Sequence, residues 1–357
     1  MDTHALTDLQ RQAAAADGTS YLYGPAGTGK TTALQQRLLR LLRGGEPAYT
    51  ILVLVAEPEH RDTFFEAVRG LPTRATLNGM DTPPIVAFQG EHGAYSEQAA
   101  RQQFGPDARA LPCRTFSAII DALQAGRAHY GMLPVENSLA GTVIPAYDLL
   151  VDYDLHVQAE VILRVEHCLM APPGVALADV RRVRSHPQAL MQCETALRRL
   201  GLEPVEYYDT AGAARDLAAD PQPATAAIAS ALAAATYGLN VLVNHLEDED
   251  FNFTRFFVLG TSYPPRQDPS KTSIILTTRH VPGALYAALG ELAARGINMT
   301  KIESRPRRNR PWHYLFYVDF EGHEEDEAIK AALLGILKHA SFLKVLGSYP
   351  AAKVGPL

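Results

Sequence analysis

Cysteine is scarce: the 357 residues hold only 3, at positions 113, 168 and 193, none of them spaced as a CxxC pair. That excludes a disulfide framework and a zinc knuckle and fits a reducing compartment. Long apolar runs are missing too. No tract reaches the roughly 18 apolar residues free of charge that a spanning helix needs, and Met1 to Asp8 has neither a basic cluster nor an apolar stretch. No membrane partner and no secretory leader are therefore read, and a cytoplasmic location is expected. Net charge is modest, at −6, but unevenly spread. Residues 1–80 hold 8 basic and 8 acidic side chains, residues 81–270 hold 13 and 23, and residues 271–357 hold 12 and 8. The acidic middle argues against a nucleic-acid partner. The basic excess at the end comes from Arg305, Arg307, Arg308 and Arg310, which read as a solvated turn. Metal-ligand spacing is lacking as well. His245 with Glu247 to Asp250 has no echo elsewhere and reads as a solvated acidic loop, so no metal is expected.

What is present divides at two seams rich in proline, glycine and polar residues, Leu71 to Pro84 and Ser262 to Ser270. Residues 1–79 read as strand Tyr21 to Tyr23, a glycine-rich loop, a helix to about Arg43 and strand Ile51 to Ala56, a partial P-loop βαβ segment. Residues 80–264 alternate apolar strands (Ile85 to Phe88, Tyr130 to Val135, His156 to Val165, Ala226 to Ala229, Phe256 to Leu259) with helices (Ser96 to Phe104, Thr115 to Ala125, Gln188 to Leu200, Thr210 to Ala218). That pattern predicts an α/β fold with largely parallel strands, long enough for two lobes. Residues 271–350 give strand, helix, strand, strand, helix, strand, the split βαβ order of a ferredoxin-like α+β module.

In the first segment Gly24 to Thr31 satisfies GxxxxGK[ST] between strand and helix. Gly24, Gly29, Lys30 and Thr31 are candidates for holding nucleotide phosphates, with Lys30 on the outer ones and Thr31 on magnesium. The opening Leu6 to Ala13 with this loop resembles the Walker A start of a DNA-helicase motor domain. The parts that would hold the metal and position water are missing from so short a segment, which makes a fused remnant the leading reading.

Four polar turns carry the chemistry of the middle segment. Glu136, Asn137 and Ser138 end an apolar strand. Ser185-His186-Pro187-Gln188 follows another, Asn252 to Phe256 precedes a third, and Gly90 to Ser96 joins the first strand to its helix. Ligands of open α/β sheets bind beyond strand ends, so these turns lie where a site belongs. Singly each is explained by capping or turn geometry. Clusters such as Thr-Arg and Glu-Asn-Ser exceed what capping requires.

These residues resemble a family. Gly90 to Ala99, Gly131 to Leu150, Ser185 to Leu190, Ala227 to Leu239 and Thr254-Arg255-Phe256 occur in the order found in prephenate dehydratase. Gly283-Ala284-Leu285, Gly296 to Thr300 and Glu303 to Pro306 resemble the ACT regulatory domain that follows it. The resemblance implies a two-lobe catalytic domain of the periplasmic-binding-protein type that converts prephenate to phenylpyruvate by loss of water and carbon dioxide, without cofactor. It implies Thr254 as donor to the departing hydroxyl, Arg255 pairing a carboxylate or ordering the turn, and Phe256 within the signature. Glu136 is the acid if buried, or else pairs a local amide or arginine. Ala94, Tyr95, Ser96, Asn137, Ser138, Ser185, His186 and Gln188 would position the substrate. Phenylalanine is the implied effector, held by Gly283, Ala284, Leu285, Asn298, Met299, Glu303 and Ser304 in a homodimer or homotetramer, with the proline-rich linker passing the signal on. Arogenate as substrate, or an amino-acid-sensing pseudoenzyme, stays open.

Overall fold

Short apolar strands alternating with helices that bury one face give two open sheets, and a third sheet follows them. The computed structural model describes residues 83–306 and 314–352. The candidate phosphate loop (Gly24, Gly29, Lys30, Thr31) and Arg307, Arg308 and Arg310 lie outside the described residues.

The chain builds a first lobe from β1 (Ile85–Gln89), α1 (Tyr95–Phe104), β2 (Arg109–Cys113), α2 (Phe116–Gln124), β3 (Tyr130–Asn137), β4 (Gly141–Thr142), α3 (Ile144–Asp152) and β5 (His156–Arg164). It crosses to a second lobe made of β6 (Cys168–Ala171), β7 (Arg182–Ser185), α4 (Pro187–Gln192), α5 (Glu194–Leu200), β8 (Glu203–Glu206), α6 (Thr210–Ala219), β9 (Thr225–Ala229), α7 (Ala231–Tyr237) and β10 (Asn240–Val243). It then returns to the first lobe as β11 (Phe253–Gly260). The sheet orders are β2-β1-β3-β11-β5 and β10-β6-β9-β7-β8. Strand β3 is buried along almost its whole length, as a central strand covered on both faces must be. Helix α2 starts where the Thr115 hydroxyl accepts the Ala118 N–H, and it turns Ile119, Ile120, Ala122 and Leu123 inward.

The expectation of largely parallel strands needs correction. Strand β11 runs antiparallel to both β3 and β5, and β6 runs antiparallel to both β9 and β10. In the first sheet the reason lies in the path, because β11 re-enters it from the far lobe. The single helix expected over Gln188 to Leu200 is two. Cys193 leaves helical geometry, and the Asp248 carboxylate accepts the Thr195 and Ala196 N–H groups at 2.9 and 3.1 Å, capping a second start. Asp248 and Glu247, which accepts the His167 N–H, therefore order the acidic loop that the sequence presents as merely solvated.

The third sheet comprises β12 (Ser270–Thr278), α8 (Ala284–Ala293), β13 (Met299–Pro306), β14 (Tyr314–Glu321), α9 (Glu327–His339) and β15 (Ala340–Pro350), in the order β13-β14-β12-β15 with every pair antiparallel. One face packs Ile274, Leu276, Val318 and Phe320 under the two helices. The other face carries Ile275, Tyr317, Leu346 and Tyr349 into the same core as Val157, Phe257 and Tyr147 of the first lobe. Burial of that kind contributes about 1.5–3 kcal/mol for each large apolar side chain. Tyr317 stacks edge-on to Tyr147 at 4.5 Å and donates to the Tyr147 carbonyl. The regulatory sheet is thus docked directly on the catalytic lobe, and the proline-rich linker expected to carry the coupling is not the only connection.

Docking is close enough to need glycine. At Gly347 in β15, φ is +151° and a Cβ would come within 2.6 Å of the Val157 carbonyl of β5. Gly347→Ala should therefore lower the thermal midpoint, at a cost of about 1–3 kcal/mol for overpacking against backbone. Gly290→Ala in α8 meets open space and should raise stability by about 0.5–1 kcal/mol. Denaturant unfolding of both variants beside the parent checks the pair, and opposite signs are expected.

Candidate functional site

A cleft forms where the ends of β1 and β3 in one lobe approach the ends of β7, β8 and β9 in the other. The turn after β1 closes on the second lobe: Ser230 Oγ donates to the Gly93 carbonyl at 2.6 Å, the Tyr237 hydroxyl donates to the His92 carbonyl at 2.7 Å, and Arg215 pairs with Glu91 at 2.7 Å. Gly93, at φ +86°, leaves so little space that a Cβ would sit 2.5 Å from Ala233 Cα. Glu97 fixes the turn by accepting the Gly93 N–H at 2.8 Å and pairing with Arg101. Burial alone would raise its pKa, but the Gly93 N–H and Arg101 outweigh burial and keep it ionised below the usual carboxylate range.

Helices α1, α4, α6 and α7 all begin at this cleft, just beyond strand or turn residues 94, 186, 209 and 230. Their N-termini favour anionic groups. An open pocket of about 550 Å3 lies against His186, Pro187, Glu206, Tyr207 and Tyr208.

At the base, the two segments that join the lobes, residues 165–167 and 244–252, run side by side. The Val165 N–H donates to the Asn252 carbonyl and the Leu246 N–H to the His167 carbonyl, both at 2.8 Å. From them a line of polar side chains leads inward. The Tyr95 hydroxyl lies 2.7 Å from His167 Nδ1, and His167 Nε2 lies 2.9 Å from Gln192 Oε1. Asn252 Nδ2 donates to the same Gln192 oxygen, and Asn137 Nδ2 donates to Asn252 Oδ1 at 2.8 Å and to Thr254 Oγ1 at 3.0 Å.

The sense of this line can be worked out. Asn137 Oδ1 accepts the backbone N–H groups of Leu139 and Ala140, which can only donate, so Nδ2 must be the atom that faces Thr254. Gln192 Oε1 accepts from Asn252, so His167 carries its proton on Nε2, and its Nδ1 at 2.7 Å shares the single Tyr95 O–H with the Glu166 carbonyl at 3.0 Å. Burial holds His167 below its ordinary pKa against the opposing Gln192 hydrogen bond and Glu247, and burial pushes Tyr95 well up, so both are neutral. Thr254 Oγ1 is therefore an acceptor within the protein, and its own proton is available as a donor.

The remaining sequence candidates divide. Asn137 and Thr254 are brought together, Tyr95 joins them through the line, and Ala94 and Ser96 sit buried at the α1 N-terminus. Ser138 closes its loop by donating to the Phe251 carbonyl and accepting the Phe253 N–H, and the fully buried Ser185 donates to the Ile228 carbonyl. His186 caps the Gln188 N–H. Phe256 is core. Thr254 and Arg255 lie inside β11 and not in a turn, so they point to opposite faces. Two residues accordingly find their partners on the far side of the strand. Arg255 lies at 2.7 Å from Glu160 and 2.6 Å from Asp319 and donates to the Tyr349 hydroxyl, away from the cleft. Burial would lower its pKa, yet Asp319, Tyr349 and Glu160 raise it above the ordinary value. Glu136 pairs with Lys301 of β13 at 2.8 Å on the same side, which fits its pairing role. His167 and Gln192 are the residues that the sequence does not reveal. Their only signal there is a lone polar residue in apolar surroundings.

In the regulatory sheet a pocket of about 540 Å3 is lined by Thr278 to Tyr286 with Tyr314 and Phe316, which includes Gly283, Ala284 and Leu285. Asn298, Met299, Glu303 and Ser304 do not line it. Asn298 donates to Glu321, and Glu303 accepts from Thr142 of the first lobe. Among the described residues no acidic, histidine or cysteine cluster suits a metal, and no helix is long and apolar enough to cross a membrane.

Comparison with known proteins places these features. Residues 86–263 match prephenate dehydratase and residues 272–337 match the ACT domain. Arogenate dehydratase/prephenate dehydratase 2 of Arabidopsis thaliana is 45% identical over 276 residues, 74% of this chain and 72% of that protein. A solved structure described as GqqA, a novel type of quorum quenching acylase, is 41% identical, with a TM-score of 0.70 over 75% of this chain and 98% of its own. The prephenate dehydratase of Arthrobacter aurescens, solved in complex with L-Phe, is 33% identical, with a TM-score of 0.69 over 75% of this chain and 90% of its own. The chain belongs to the prephenate dehydratase family, with an ACT domain following the catalytic one.

Proposed function

We propose that this chain converts prephenate to phenylpyruvate, water and carbon dioxide, and that phenylalanine inhibits it through the ACT domain. The observation that carries the reading is the fixed sense of the Asn137 to Thr254 hydrogen bond, which leaves the Thr254 proton free to donate. As the ring carboxylate leaves, the electrons of its bond to the ring become part of the aromatic system and the hydroxyl at the opposite carbon departs as water, taking up one proton from solvent. Charge builds on that oxygen, and Thr254 donates to it there. Helix N-termini hold the side-chain carboxylate without a cation that would quench the one that leaves. Arogenate, which differs by an ammonium in place of the keto group, is the alternative substrate, and the names of plant relatives carry both. Residues 1–79 are an appendage to this enzyme, since the prephenate dehydratase match begins at residue 86. The outer strand β13, with Met299 and Ile302 exposed, is the edge through which two copies pair.

Thr254→Val keeps the shape and removes the donor, so kcat should fall by roughly a hundredfold or more with the fold intact. Ultraviolet detection of phenylpyruvate from prephenate, repeated with arogenate, measures this, and near-normal turnover would refute the assignment. Gly93→Ala acts differently. It obstructs the approach of the turn to α7 and should lower kcat/KM by tenfold or more while circular dichroism is unchanged, on the scale of a 1 Å misplacement. Gly283→Val fills a position at φ +80° on the wall of the regulatory pocket and should abolish phenylalanine inhibition while basal turnover remains. Titration of the variant with phenylalanine in a calorimeter, beside the parent, is the check.

A further inference from the structure

Directly behind the donor lies a buried group of charges that belongs to two domains. Register places Thr254 opposite Asn137 and Arg255 opposite Glu136, with a bulge in the β3–β11 pairing between Arg255 and Phe256. The first pair faces the cleft and the second faces the regulatory sheet. Arg255 is almost fully enclosed. Its Nε donates to Glu160 of β5 at 2.7 Å, its Nη1 to Asp319 of β14 at 2.6 Å and its Nη2 to the Tyr349 hydroxyl of β15 at 3.1 Å. Asp319 also accepts from Ser273 of β12 at 2.5 Å, and Ser273 meets the Tyr349 hydroxyl at 2.5 Å. Lys271 of β12 returns to Glu160 at 3.0 Å. The side chains of Glu160 and Asp319 are 2% and 4% exposed. Arg255 also lies 3.7 Å from Glu136, which pairs with Lys301 of β13 at 2.8 Å, so three cations and three carboxylates balance in this interface and all four regulatory strands contribute to it.

A buried ion group of this kind is a poor way to gain stability, because desolvation offsets most of the attraction, but its geometry is exacting. A guanidinium fork cannot keep its contacts to both carboxylates if the regulatory sheet shifts against the lobe. Strand β11 must then follow, and the residue next along that strand is Thr254, whose oxygen is already pinned by Asn137. Nothing in the cleft needs Arg255, which makes no contact there.

We propose that Arg255 is a positioning residue held jointly by both domains: from the far face of β11 it sets the Thr254 hydroxyl, and it carries the docking state of the ACT sheet into the cleft. This rests on the reading of Thr254 as donor and phenylalanine as effector. Asp319→Asn and Tyr349→Phe in the full chain test it, because both act from the regulatory side and touch no substrate. Asp319→Asn should lower kcat roughly tenfold to a hundredfold with KM within about twofold, the signature of a displaced donor. It should also raise the phenylalanine concentration for half inhibition at least about tenfold. Tyr349→Phe removes one acceptor and no charge, and should shift half inhibition the same way by about fivefold. Should Asp319→Asn fail to fold, Tyr349→Phe decides alone. Half inhibition unchanged in a folded variant overturns the proposal, whatever happens to turnover. The parent, assayed alongside, separates the two levels: a parent indifferent to phenylalanine refutes the effector reading itself, and the proposal with it.

Discussion

Everything in the catalytic half turns on one strand and the alternation of its side chains. Neighbouring residues of an extended strand face opposite sides, so Thr254 and Arg255 cannot serve the same surface. One is drawn into the cleft by Asn137, the other into the regulatory interface by Asp319 and Glu160. Because β11 lies between β3 and β5, it joins the lobe's sheet at its interior and has no freedom to adjust either face alone. The short Thr-Arg-Phe signature therefore combines a donor, an anchor and a core residue in three consecutive positions.

Polar groups are costly to bury unless they are satisfied, and a half-satisfied line is worse than none. The line from Tyr95 to Thr254 meets that demand at each step, with neutral groups whose donors and acceptors alternate. Two backbone N–H groups at Leu139 and Ala140 set its direction, because they leave Asn137 only one orientation. The result is a hydroxyl whose proton needs no base to orient it. Charged side chains are kept out of this part of the cleft and concentrated behind β11, where carboxylates and cations neutralise one another.

Much of this was legible from residue pattern. The strands at Ile85, Tyr130, His156 and Phe256 and the whole order of the last domain follow from apolar periodicity, and the family resemblance located Thr254 and Asn137. Short edge strands such as β2 and β8 were not legible, because four or five half-exposed residues carry no periodic signal. The split at Cys193 depends on a cap supplied by Asp248 from far along the chain, which no local window contains. The roles of Arg255 and Glu136 stay open in the sequence for the same reason. A cation next to a catalytic hydroxyl in sequence suggests shared work, and only the pleat and the docked sheet show that the two look in opposite directions.

The shared core beneath the third sheet has a mechanical consequence. Tyr317, Leu346 and Tyr349 are embedded among residues of the first lobe, and Gly347 brings the two backbones into contact, so these two parts move as one body. The second lobe is joined covalently to that body by two antiparallel segments, residues 165–167 and 244–252. Opening the cleft is then the swing of a light arm on a heavy base, and the regulator is mounted on the base, beside the bearing and not on the moving part.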